Sequence, residues 1–123
     1  MSFGKYFKEL RKSKDKTQEE LADAIGKTKM LISGVETGRN ASFSDEDIDK
    51  IVPALALTED EGLKLRIEAA KARDTLPSDI VKYLFKHEDL LMMIGNMADR
   101  QIHDGSLDRI IKYVEEILNV KND

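Results

Sequence analysis

Cysteine and histidine, the side chains that most often do nucleophilic and transition-metal chemistry, are nearly missing from this 123-residue chain. Cysteine is absent, which excludes disulfides and thiolate metal sites. The only histidines are His87 and His103. His87-Glu88-Asp89 has metal-ligand residue types, but with no second histidine nearby it reads as a surface triplet at a helix junction. No Ser/His/Asp set and no glycine-rich phosphate loop is visible, so neither catalysis nor a cofactor is expected. What remains is the chemistry of charge and hydrogen bonding. Residues 1–40 hold nine Lys/Arg against six Asp/Glu, a local charge of +3. Residues 41–123 hold eleven against eighteen, a local charge of -7. A polyanion responds to the field at the face it meets, so a total of -4 does not exclude nucleic acid. A basic first third on an acidic remainder suggests two tasks on one chain.

The residues that could meet a polyanion fall in one compact pattern, TQEELADAIGKTKMLISGVETG at 17–38. Thr17 with Glu20 three positions on is a capping box, which predicts a helix over 18–25. Gly26 ends that helix in the left-handed conformation. Thr28 caps a second helix over 29–37, and Gly38 stops it. Leu21, Ile25, Ile32 and Val35 would face one another across the pair, and Ala22 is small where the helices must cross. Two short helices joined by a tight turn with this packing form a helix-turn-helix. Its second helix enters the major groove N-terminus first.

The rest of the chain reads as helices that position this pair. Phe3, Phe7 and Leu10 mark a helix over 2–13. Ser44 caps a fourth helix with the stripe Ile48, Ile51, Val52 and Leu55, which Pro53 should kink or end early. Thr58 and Glu61 form a second capping box and open a fifth helix reaching about Arg73. Thr75-Leu76-Pro77-Ser78 is the clearest internal boundary, dividing a domain at 1–74 from an extension at 75–123. Further helices are predicted over 78–86, 88–101 and 107–119, the last capped by Ser106. Strand-type alternation is absent, so the fold class is all-α. No apolar run approaches the roughly 20 residues that span a bilayer, and no signal-peptide pattern opens the chain. A cytoplasmic protein is the expectation.

Residues 3–73 resemble the Cro/CI-type (XRE) helix-turn-helix family. The likeness rests on Leu10-Arg11, on Thr17-Gln18-Glu19-Glu20-Leu21-Ala22 and on Glu36-Thr37-Gly38-Arg39. It implies a five-helix phage-repressor-like domain that binds double-stranded operator DNA as a homodimer, a transcriptional regulator and most simply a repressor. It also implies roles by position. Gln18 would touch a backbone phosphate, helped by the N-terminal amides of its helix. Thr28, Lys29, Met30, Ser33 and Gly34 would face base edges. Lys29 suits guanine O6 or N7, and Met30 a thymine methyl. Thr37, Arg39 and Asn40 would contact phosphate beyond the recognition helix, and Arg11 and Glu36 would form a buried salt bridge. Departures from the family pattern are Asp15 for a usual Gly, Lys16 for a usual Leu, and Lys27 for the apolar residue after the turn glycine. Lys27 adds charge at the turn, where DNA is within its reach. Gly34 stands where relatives carry a long polar reader. Direct readout should therefore rest on Lys29 and Met30, with phosphate contacts and DNA shape supplying more of the binding. Taken alone, the lysines of 5–16 read as a solvated face; beside the motif, Lys5 and Lys16 lean towards DNA.

The extension carries more apolar residues than a tail needs: Leu76, Ile80, Val81, Leu84, Phe85, Leu90, Leu91, Met93, Ile94 and Met97, then Ile110, Ile111, Val114, Ile117 and Leu118. Three uses fit them: burial against the chain's own domain, dimerisation, or grip on a protein partner as an antitoxin-like regulator would. The acidic balance favours the last, and the two-fold habit of the fold favours dimerisation. Met92, Met93 and Met97 read as adaptable core filler.

Overall fold

A computed structural model describes residues 2–122, with side chains described over 2–119. The described residues form eight helices and no strand: α1 (Phe3–Ser13), α2 (Gln18–Ile25), α3 (Lys29–Glu36), α4 (Asp45–Ala54), α5 (Glu59–Ala72), α6 (Ser78–Lys86), α7 (Glu88–Asp99) and α8 (Gly105–Asn122). The chain divides into two compact units, residues 1–81 and residues 82–123.

In the first unit each helix starts where a hydroxyl can satisfy orphan amides. Ser2, Thr17, Thr28, Ser44 and Thr58 all accept from the amide three residues on. Thr17–Glu20 and Thr58–Glu61 close in both directions as capping boxes. Helix ends are less conventional. Gly26 takes φ 69°, but Asp15 and Ala56 take φ 58° and 50° without being glycine. At Asp15 the amides of Asp15 and Lys16 bond back to Lys12 and Arg11, a Schellman closure that aspartate tolerates better than most residues. Pro53 does not stop α4 short; the helix runs one residue past it and closes at Leu55. Proline there removes the amide that would bond the carbonyl of Asp49 and crowds that carbonyl, but Asp49 is exposed, so its oxygen can turn to water.

The core of this unit is α1 and α2 packed on α3, with α4 and α5 closing the other side. Phe7, Ile32, Val35, Ile48, Ile51 and Leu65 are fully buried. Phe3, Phe7 and Phe43 form an aromatic knot, with Phe7 and Phe43 edge-to-face at 4.7 Å between centroids. Gly4 lets α1 cross the end of α3 at backbone contact. A methyl there would collide with the Val35 carbonyl and lie 2.7 Å from that of Glu36.

Arg73 holds the end of α5 to the start of α4: it donates to the Phe43 carbonyl at 2.5 Å and to Asp45 at 3.0 Å. Hydrogen bonds from Ser78 and from Arg73 keep the Asp45 carboxyl below its ordinary range.

The second unit is built differently. None of its described side chains is buried, and Phe85, Met92, Tyr113 and Leu118 are more than half exposed. Ser106, expected as a helix cap, lies inside α8. The carboxylate of Asp104 takes the Ser106 amide at 2.9 Å instead, because α8 begins at Gly105 and aspartate two residues back reaches that amide.

Candidate nucleic-acid interface

Three polar side chains from three helices meet beneath the N-terminus of α2. Arg11 donates Nε to Glu36 Oε2 at 2.7 Å and Nη2 to Oε1 at 2.9 Å. Its third arm, Nη1, reaches the Lys16 carbonyl at 2.6 Å, a group presented by the turn at Asp15. The ion pair is dry, with side-chain exposures of 6% and 2%. Gln18 Nε2 donates to the same Glu36 Oε1 at 3.0 Å. The bond from Glu36 raises the Arg11 pKa against the opposing effect of burial. Burial pushes Glu36 up, but bonds from Arg11 and Gln18 together hold its carboxyl below the ordinary range. Glu36 therefore stays ionised and fixes Gln18, leaving the second Nε2 hydrogen for an outside acceptor.

That acceptor would sit in an open cleft lined by Arg11, Lys12, Lys16, Thr17, Gln18 and Lys29, with the carboxylates of Asp15 and Glu19 at its walls. The N-terminal amides of α2 and three ammonium groups surround it, a setting suited to a phosphate oxygen. Lys12 is a member that sequence reasoning missed. In the sequence it is one lysine among five in residues 5–16, and only the packing of α1 on α3 brings it beside Gln18 and Lys29.

On α3, Lys29 and Ser33 stand one turn apart, as do Met30 and Gly34, so these positions share the outward face. Thr28 and Lys29 are exposed and Met30 is 73% exposed, unusual for an apolar side chain with a core nearby. Thr37, Arg39 and Asn40 are exposed beyond the helix end. Thr37 Oγ1 donates to the Ser33 carbonyl at 2.9 Å, closing the last turn. Two further expected site residues have neighbours of their own. Lys27 Nζ lies 3.6 Å from Asp47, a largely buried carboxylate on α4, so this lysine ties the turn to α4. Gly34 is buried, covered by Asn40 and Arg39.

Residues 7–61 match a family model described as Helix-turn-helix. That segment is a helix-turn-helix domain of the DNA-binding kind, similar to those of Cro/CI-type transcription regulators. No curated protein and no solved structure matches the chain. None of the described helices is long and apolar enough to cross a membrane.

Proposed function

We propose that this protein is an operator-binding repressor that works as a homodimer, reading DNA with the outward face of α3. The observation that carries this reading is the Arg11–Glu36–Gln18 network. It aims a half-buried amide into a lysine-lined cleft beside the first turn of α3, so a phosphate bound there seats the N-terminus of α3 in the groove. Lys29 and Met30 then face base edges, while Thr37 and Arg39 flank the backbone further on.

The test is binding-site selection from a random library, followed by footprinting of the DNA upstream of the protein's own gene. A palindromic site is expected. Affinity should fall about 10³–10⁵-fold between 50 and 200 mM salt if six to ten phosphates are engaged. Absence of salt-sensitive binding to any selected sequence would refute the reading. Within the selected site, Gln18→Ala should weaken all sequences alike, by about tenfold, since it removes one bond to a charged group. Lys29→Ala should instead change the preferred base at one position, at a cost of about 1–3 kcal/mol for the original site.

The homodimer reading is supported by the second unit, whose apolar side chains are left uncovered. On α8, Arg109 and Lys112 precede Glu115 and Glu116. An antiparallel second copy would set opposite signs against each other along that helix, whereas a parallel one would oppose like charges. A protein partner held by the same helices is the competing reading, favoured by the -7 charge of residues 41–123.

A further inference from the structure

The gap left by Gly34 is filled. Asn40 turns back onto α3, its backbone N–H donating to the Gly34 carbonyl at 3.0 Å. A Cβ built on Gly34 would lie 2.7 Å from Asn40 Nδ2 and 3.8 Å from Arg39 Nη2. The Asn40 carboxamide thus occupies the space through which a side chain at position 34 would leave the helix. Thr37 helps hold the loop in this place, since its hydroxyl bonds the carbonyl of Ser33 and lies 3.4 Å from that of Gly34. The residue itself is exposed.

From this geometry we infer that Asn40 is a specificity-determining residue, a loop-borne base reader seated on Gly34. The inference rests on the reading of α3 as the recognition helix. Position 34 lies one turn beyond Met30 on the outward face, so a group at its surface meets base edges rather than the flanking phosphate. A carboxamide can bond adenine N6 and N7 together, which an alkyl or a cationic side chain cannot do. The expected consequence is a required A·T pair at one position of each half-site. Glycine at 34 is then a condition of readout, because any side chain there would evict the carboxamide.

The experiment is binding-site selection with the full-length wild type, Asn40→Ala and Gly34→Ala, each followed by salt titration on the wild-type site. Asn40→Ala should erase the preference at one A·T position, by about 5- to 150-fold, with the slope of log K against log salt unchanged. Gly34→Ala should affect that same position. The atom it displaces is the tip of a flexible side chain and alanine favours the helix interior, so the fold should survive. Far-UV circular dichroism melting checks that both variants fold. Uniform weakening of all sites with a slope lower by about one would make this a backbone contact and overturn the inference. So would an unchanged selected site in Asn40→Ala, or effects of the two variants at different positions. If the wild type selects no site, the recognition-helix reading fails first and this inference with it.

Discussion

In urea titrations, Glu36→Ala is expected to lower the unfolding free energy by about 3–5 kcal/mol, the largest loss from any single polar substitution in this protein. The cause is what remains. Arg11 is 5% exposed, and without Glu36 its guanidinium keeps only the Lys16 carbonyl as partner. A buried cation with one neutral acceptor is far from its solvation in water. The replacement Arg11→Met with Glu36→Leu should recover most of the stability, since hydrophobic pairs of similar volume often match or exceed a buried ion pair. It should not recover DNA binding, because Gln18 loses the carboxylate that aims it. Recovery of both stability and affinity would show that the network is scaffolding alone. The pair also predicts acid sensitivity. The Glu36 carboxyl is held below its ordinary range, so its contribution is fully present above that range and is lost as pH falls through the folded-state value.

Removing residues 82–123 is expected to leave a folded monomer that binds a palindromic operator about 10²–10⁴-fold more weakly than the full chain. Folding should survive because every described buried side chain lies in residues 1–81, including Pro77 at the start of α6. Affinity should fall because two linked half-site contacts become two independent ones, and the high effective concentration of the second is lost. Sedimentation of both proteins with gel-shift titration on one- and two-half-site DNA makes the measurement. A truncated protein that stays dimeric would move the dimer contact into the first unit. A full-length protein that is already monomeric would favour the protein-partner reading of the second unit. The cut falls after Val81 rather than at the Thr75–Ser78 boundary seen in the sequence, because Asp45 is held by Ser78 as well as by Arg73.

Much of the first unit was legible from residues alone, because its signals are local. A hydroxyl before a helix with a glutamate three positions on needs only the chain's own amides, and Thr17–Glu20 and Thr58–Glu61 form as their spacing requires. Period-3.6 spacing of Leu21, Ile25, Ile32 and Val35 names the buried face because a helix has one way to hide it. Pairing Arg11 with Glu36, 25 residues apart, came from the family pattern; no local rule connects them. The second unit was less legible. Its apolar stripes give three helices, but a stripe does not name what covers it.

The helix-turn-helix was thus determined by sequence: its caps, its turn glycine, its buried face and the exposed start of its second helix follow from short-range physics. The tertiary structure decided which polar groups act together. It placed Lys12 in the phosphate cleft, drew Lys27 to Asp47, hung Gln18 on Glu36 and laid Asn40 over Gly34. Each of these depends on where another helix or a returning loop brings a second residue. Side-chain reach beyond one helical turn is set by packing, so no spacing along the chain encodes it. Gly34 makes the difference plain: in the sequence it is a missing side chain, and in the fold it is a seat for one.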